Sequence, residues 1–228
     1  MSEEKKKRVA FCCPTVTKPY PQFLAALEAS LPLIEKAGWE HSAVYEVGNP
    51  YISAARAIML RKALDWKADV VVFLDHDLSW AAEDLLLLIE RKEDCVAGTY
   101  RFKKEPEEYM GTCIVDDDGR PILVDGLLKM ANVPAGFLKL TANAINKFYI
   151  AYPELCYGDR FNPCIDLFNH GAWNNTWYGE DYAFCRRYNE KCGQVWCMPN
   201  LEIDHWLGNG ECFKGNFDQF LIKQPQPE

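Results

Sequence analysis

Two aspartates separated by one residue, Asp75 and Asp77, are the strongest candidates for chemistry in this sequence. They follow an uninterrupted apolar run, residues 70–74, in the segment VVVFLDHDLSW. Ligands of open α/β sheets bind beyond the carboxyl ends of the strands, which is where these carboxylates and His76 between them would lie. Hard cations such as Mg²⁺ or Mn²⁺ bind carboxylate and phosphate oxygens together. The segment therefore predicts a site for a divalent cation and a diphosphate.

A simpler interpretation of the same segment is a polar strand end that leads into a helix. Asp-x-Asp tripeptides are common by chance, so the tripeptide alone favours this alternative. The surrounding pattern favours the metal site, because a buried strand precedes the tripeptide and a helix is predicted over residues 79–91, with Ser79 as its N-cap.

The order of the strands and helices that must position these residues indicates an α/β fold. Strands alternate with helices, as in a mainly parallel central sheet flanked by helices, and the Asp-Gly turn within residues 111–125 predicts a small hairpin insertion. Residues 152–178 predict a long functional loop. Strands are predicted over residues 8–13, 43–47, 70–74, 95–100, 135–140 and 194–198, and helices over 21–38, 53–66, 79–91, 141–149 and 180–191.

Length and composition predict one domain, residues 1–228, with flexible ends at 1–7 and 223–228. No apolar stretch is long enough to span a membrane and no signal peptide is recognisable, so we expect a cytoplasmic protein. The ten cysteines are expected to be free thiols. A net charge of −8 argues against a broad surface for nucleic acid.

Three further polar features occur along the chain. Glu180 and Asp181 open a helix, where the helix dipole favours carboxylates whether or not they do chemistry. The preceding aromatic residues, Trp177 and Tyr178, form a platform suited to the face of a sugar or base. Arg56 lies on an early helix, where an exposed structural role is the alternative, and a single histidine such as His205 is more often structural than a ligand.

In their order along the chain, these features resemble GT-A glycosyltransferases, in particular the small phage-encoded and bacterial members. The resemblance covers residues 8 to about 210 and rests on NPYISAAR, FLDHD, PAGFLKL, GEDYAFCRRY and IDHWLG. It implies a Rossmann-like GT-A fold. It also implies transfer of a hexosyl or pentosyl group from a nucleotide-diphosphate sugar, specifically a UDP-sugar, to an acceptor hydroxyl, in the host cytoplasm if the chain is phage-encoded.

The resemblance also implies roles for individual residues. Asp181 would be the general base, and Glu180 would bind the acceptor or the donor. The metal, Mn²⁺ or Mg²⁺, would be bound by Asp75, Asp77 and His205. Asp204 is a competing ligand, and Gly208 departs from the expected spacing after the histidine. The donor would be bound by Pro14, Thr15 and Val16 at its base and ribose, by Arg56 at its diphosphate, and by Asp75, His76, Asp77 and Gly136.

The acceptor and the reaction class stay open at this stage. A modified base in DNA and a saccharide are both possible acceptors, and Arg101, Lys103 and Lys104 would suit a phosphate backbone. A nucleotidyltransferase or a metal-dependent phosphohydrolase acting on nucleotide-sugars also places carboxylates at strand ends, and a non-catalytic carbohydrate-binding module is a third alternative.

Overall fold

The computed structural model describes residues 6–223. Of the ends predicted to be flexible, 1–5 and 224–228 lie outside the described residues, whereas Lys7 begins the first strand and Lys223 ends the last helix. The described strands are β1 (Lys7–Thr15), β2 (Trp39–Val47), β3 (Val70–Leu74), β4 (Leu78–Trp80), β5 (Cys95–Gly98), β6 (Thr112–Cys113), β7 (Leu123–Val124), β8 (Leu127–Asn132), β9 (Phe137–Thr141), β10 (Cys156–Tyr157), β11 (Cys164–Ile165), β12 (Gly171–Trp173), β13 (Thr176–Tyr178), β14 (Val195–Met198), β15 (Ile203–Trp206) and β16 (Cys212–Phe213). The described helices are α1 (Pro21–Lys36), α2 (Ile52–Asp65), α3 (Ala82–Glu90), α4 (Ala142–Ala151), α5 (Glu180–Lys191) and α6 (Phe217–Lys223).

The central sheet is mixed, so the prediction of a mainly parallel sheet is only partly right. Its strand order is β2-β1-β3-β9-β5-β14-β8-β6, with β7 paired to β8. Strand β1 runs parallel to β2 and β3, and β5 runs parallel to β14. Strand β9 lies antiparallel between β3 and β5, and β8 is antiparallel to β14. A strand buried on both faces is a continuous apolar run in either direction, so its sequence does not reveal its direction.

Helices cover both faces of this sheet. Alternate residues of β1 point to opposite faces, as the two-residue period of a strand requires. Val9 and Phe11 pack with the buried residues of α1 and α3, whereas Ala10 and Cys12 pack with those of α2, α4 and α5. The core is thus continuous on each side of β1 and β3, and it holds the carboxyl ends of these strands in fixed positions.

A second, three-stranded sheet of order β16-β15-β4 lies directly after the Asp-x-Asp segment. It corrects the prediction for Ser79, which lies in β4 and accepts a hydrogen bond from Trp206 Nε1 at 2.8 Å. Helix α3 begins later, at Ala82, with Ala81 at its N-cap position. Strand β15 pairs with β4 so that His205 lies opposite Leu78. The two strands therefore bring a distant histidine beside Asp77.

The predicted hairpin insertion is confirmed. Ile122 N donates to Ile114 O at 3.0 Å, and Asp116 N donates to Arg120 O at 2.9 Å. The long loop of residues 152–178 is more ordered than predicted, because β10 pairs with β11 and β12 pairs with β13. Left-handed residues at Asn174 and Asn175, with φ of 47° and 62°, form the turn of the second pair.

Several local predictions hold closely. Helix α5 has the predicted bounds, and Thr141 caps α4 by accepting a hydrogen bond from Ala144 N at 3.1 Å. All ten cysteines are free, as expected. Among the helices that the structure describes, none has both the length and the apolar character needed to cross a bilayer.

Candidate functional site

A cleft of about 350 Å³ opens at the carboxyl ends of β1 and β3. It is lined by the ends of these strands, by the first turns of α2, and by the first residue of α5. Most of the predicted site residues share it, although they come from four separate parts of the chain. The predicted residues that line the cleft are Pro14, Thr15, Val16, Arg56, Asp75, His76, Asp77 and Glu180.

Arg56 lies beneath the cleft and joins two of its carboxylates. Its side chain is only 3% exposed, and its Nη2 and Nη1 lie 3.1 Å from Asp75 Oδ1 and 2.8 Å from Glu180 Oε1. The guanidinium also packs over the ring of Phe168 at 5.0 Å. Burial lowers the pKa of Arg56, but Asp75 and Glu180 outweigh burial and raise it. Arg56 therefore positions the two carboxylates, and it also lines the cleft, where its role at a diphosphate stays a prediction.

Gly136 makes room for Asp75. Asp75 N donates to Gly136 O at 2.9 Å, which extends the pairing of β3 with β9. A Cβ at position 136 would lie 2.3 Å from Asp75 Oδ2 and 2.1 Å from Tyr100 Oη. The Tyr100 hydroxyl is 3.3 Å from Asp75 Oδ2, and burial together with Asp75 raises the pKa of Tyr100. Tyr100, which the sequence did not single out, therefore donates to Asp75.

Asp77 is neutralised by the chain itself. Lys103 Nζ donates to Asp77 Oδ2, and His205 Nε2 lies 3.5 Å from the same oxygen. Burial raises the pKa of Asp77, but the hydrogen bonds and charges of His205 and Lys103 outweigh it and hold that pKa well below its usual range. The predicted proximity of Asp77 and His205 is therefore present, with an ammonium group beside them.

The orientation of His205 suits a metal ligand. Its ring is buried, and Nδ1 lies 2.8 Å from the carbonyl oxygen of Arg101. A carbonyl oxygen only accepts hydrogen bonds, so Nδ1 carries a proton, and the ion pair with Asp77 places a second proton on Nε2. Loss of that second proton would leave a lone pair on Nε2 that can bind a cation. A metal-binding histidine commonly has its other nitrogen oriented in this way.

The predicted metal ligands Asp75, Asp77 and His205 do not form one group, because Asp75 is held by Arg56 and Tyr100. Within residues 6–223, no three His, Cys, Asp or Glu side chains form a group suited to a metal ion. Mg²⁺ and similar ions often take one or two protein carboxylates and complete their shell with phosphate oxygens and water. Asp77 and His205 are the two predicted ligands that lie beside each other. Asp204, the competing ligand, pairs instead with Lys214 at 3.3 Å.

Asp181 borders this cluster at the first turn of α5. Burial and the charge of Glu180 raise the pKa of Asp181 to about 6, against a hydrogen bond from Tyr182 N that lowers it. That hydrogen bond is 2.8 Å long and reaches Oδ1. A carboxylate with this pKa is ionised at neutral pH and is also a competent proton acceptor.

The last residue of β1, Thr15, contributes a buried polar atom to the cleft. Thr15 is 6% exposed, and its hydroxyl has no hydrogen-bond partner within the described part of the chain. Buried hydroxyls are normally paired, so a donor or acceptor atom of a ligand would suit this position. Val16 beside it is 74% exposed. On the opposite side of the cleft, His76 packs edge-on against Tyr20.

The basic residues predicted to follow a DNA backbone are all paired with carboxylates. Lys103 contacts Asp77, and the other two pair within their own loop. These two pairs are Arg101 with Glu105, at 2.9 Å, and Lys104 with Glu108. The structure therefore contains no free basic patch at these three positions, and the prediction of a DNA acceptor loses its support there.

The aromatic platform before α5 is divided between two faces of a hairpin. Trp177, on β13, is 70% exposed and three residues before Glu180. Trp173 and Tyr178 instead pack against the guanidinium of Arg186, at 4.2 and 5.5 Å. Trp177 contacts only the ring of His170, at 6.0 Å between centroids, among the ring contacts described, and it is the most exposed of these three aromatic residues.

Comparison with known proteins gives no family: no family model matches the chain, and no curated protein is significantly similar to it. The fold and the site define an α/β domain with an acidic cleft at the carboxyl ends of its strands.

Proposed function

We propose that this protein is a metal-dependent GT-A glycosyltransferase that transfers a sugar from a nucleotide-diphosphate sugar, specifically a UDP-sugar, to an acceptor hydroxyl. One observation carries the proposal. Carboxylates from two distant segments and a buried arginine line one cleft where α/β sheets bind ligands, and a buried histidine contacts one of these carboxylates, Asp77.

The charges of the cleft support a divalent cation. Three carboxylates, Asp75, Asp77 and Glu180, meet two cationic side chains there, Arg56 and Lys103, so negative charge is in excess. A diphosphate would be repelled by this excess unless a further cation offset it. When bound at Asp77 and His205, a divalent ion would stabilise the charge that develops on the leaving diphosphate.

The chain's own residues would perform the remaining tasks. Thr15 would hydrogen-bond the nucleotide, with Pro14 and Val16 beside it. Arg56 holds Asp75 and Glu180 in place, so that neither must reorganise during the reaction. Asp181 would accept the proton of the attacking hydroxyl, because its raised pKa is close to the working pH.

The acceptor we propose is a saccharide. Trp177 is largely exposed and lies three residues before Glu180 in the sequence, and sugar rings pack on exposed indole rings through their C–H groups. The loop of residues 101–108 offers no unpaired arginine or lysine for a phosphate backbone. Both features favour a neutral acceptor over DNA.

A thermal-shift screen with nucleoside diphosphates and their sugar conjugates tests this function. A ligand at a hundred times its Kd stabilises the folded state by about 2.7 kcal/mol, which raises the Tm of a chain of this size by roughly 5–10 °C. We expect this rise for a UDP-sugar with Mn²⁺, and its loss with a chelator.

Two variants make the screen specific. Asp77→Asn should remove the manganese-dependent part of the shift. Glu83→Gln, which removes an exposed carboxylate from α3, should retain it. Equal shifts in Asp77→Asn and the unaltered protein, or no shift with any nucleotide, would contradict the proposed function.

A further inference from the structure

The loop that joins β5 to β6 brings Lys103 to Asp77 and also orients His205. The backbone pairs on both sides of the lysine: Phe102 N donates to Glu108 O at 2.9 Å, and Met110 N donates to Tyr100 O at 3.0 Å. The Arg101 carbonyl holds His205 Nδ1. One rigid loop therefore sets the direction of His205 Nε2 and the position of the lysine ammonium.

The ammonium group of Lys103 lies against a carboxylate oxygen of Asp77, where a cation is stabilised by the negative charge. Its partner, Asp77 Oδ2, is the oxygen that also faces His205 Nε2 at 3.5 Å. Both groups are partly buried, with 23% of the Lys103 side chain and 16% of the Asp77 side chain exposed. A second cation at this oxygen would meet the lysine charge at close range, and the two repel each other strongly outside bulk water.

We propose that Lys103 is a built-in cation that occupies the position beside Asp77 and His205 until a divalent ion replaces it. This inference rests on the proposed function, and it adds a residue that controls how tightly the ion binds. Lys103 is a positioning residue, since it acts on the affinity of the metal site through Asp77.

The lysine can leave without disturbing the ligands. Its flexible side chain reaches solvent at one side, whereas the backbone that orients His205 is fixed by the hydrogen bonds of residues 100, 102, 108 and 110. Displacement therefore requires rotation of the Lys103 side chain, with the Arg101 carbonyl unchanged. The cost of separating Lys103 from Asp77 weakens ion binding by the same amount.

Calorimetric titration with MnCl₂ alone, without nucleotide, tests this. Lys103→Met should bind Mn²⁺ roughly tenfold more tightly than the unaltered protein, equivalent to about 1.4 kcal/mol. Lys103→Gln should also bind Mn²⁺ more tightly than the unaltered protein. Lys103→Arg should retain weak Mn²⁺ binding because the positive charge stays. A gain in affinity is a result that mere damage to the fold would not produce.

Lys104→Met is the matched control. It removes the same charge one residue away, but its partner is Glu108 on the exposed side of the loop, so Mn²⁺ affinity should stay within about twofold. Equal affinities for Lys103→Met and Lys104→Met would overturn the inference while leaving the proposed function intact, provided that Asp77→Asn abolishes binding. If no variant binds Mn²⁺, either alone or with UDP present, the metal site of the proposed function fails as well.

Discussion

Asp181 shows how the environment of one side chain sets its chemistry. Burial and the adjacent Glu180 raise its pKa to about 6, while a backbone hydrogen bond from Tyr182 holds Oδ1 in place. A free aspartate has a pKa near 3.9 and is a weaker base. The shift therefore increases proton affinity without neutralising the group at pH 7.

Replacing Asp181 by Asn should remove transfer but keep the donor bound. We expect kcat to fall by about 10²- to 10⁴-fold, with donor affinity changed by no more than about threefold. In the unaltered protein kcat should fall as pH decreases through about 6, because the base becomes protonated. Glu190→Gln, on the exposed end of the same helix, is the control. Retained turnover in Asp181→Asn would refute the role of the base.

The same substitution has an effect on stability whose sign depends on pH. Because the folded-state pKa is raised, the protonated form is the one that favours folding. Its contribution is complete below about pH 4 and is lost as pH rises through about 6. Asp181→Asn should therefore increase the free energy of unfolding by about 1–3 kcal/mol at pH 8 and by almost nothing at pH 4. Urea unfolding at the two pH values measures the difference.

Residue types alone did not reveal the partners of the basic side chains. Arg56 was expected at the diphosphate, but its two amino groups bind carboxylates 19 and 124 residues away. Lys103 was expected to face an acceptor, and it binds a carboxylate 26 residues away. Such pairings depend on which strand ends meet in the folded chain, and the composition of a short segment carries no information about them.

At the scale of elements, long apolar patterns were predictable and short paired strands were not. Strand β3 and helix α5 have the predicted bounds, because a fully buried strand is a short continuous apolar run and an amphipathic helix has a clear period. Strand β4 spans three residues and is stabilised by its pairing with β15, more than 120 residues later. The same residues were interpreted as a helix start, because Ser79 and the acidic residues after it are typical of a cap.

Because the backbone at Gly136, just before β9, lies close to Asp75 at the end of β3, adding a methyl group at position 136 should weaken donor binding. In Gly136→Ala the new Cβ must displace the Asp75 carboxylate and the Tyr100 hydroxyl, since it would lie 2.3 and 2.1 Å from them. Both are ends of side chains, so the fold should survive with a loss of about 1–3 kcal/mol. Donor affinity in the presence of Mn²⁺ should fall by about ten- to a hundredfold, as calorimetry would show.

Gly179→Ala provides the control for this substitution. Its Cβ would contact Asp181 Oδ1 at 3.5 Å, which is an ordinary van der Waals distance, so donor affinity should be unchanged. Equal affinities for the two alanine variants would mean that the position of the Asp75 carboxylate does not matter for donor binding.

At the scale of the whole molecule, the acidic net charge and the pairing of the basic side chains with carboxylates both disfavour the binding of an anionic substrate. The net charge is −8, and the basic residues near the cleft are neutralised by neighbouring carboxylates. An anionic substrate can enter such a molecule only where a cation is concentrated, and the cleft between β1 and α5 is where we propose that this occurs.

Diffraction from a crystal grown with MnCl₂ and a UDP-sugar, with anomalous data collected at the manganese absorption edge, tests this proposal most directly. It should show one manganese peak within coordination distance of Asp77 and His205 Nε2, in contact with the diphosphate, and the nucleotide beside Thr15. A manganese peak or nucleotide found only elsewhere, with Lys103 still on Asp77, would contradict it.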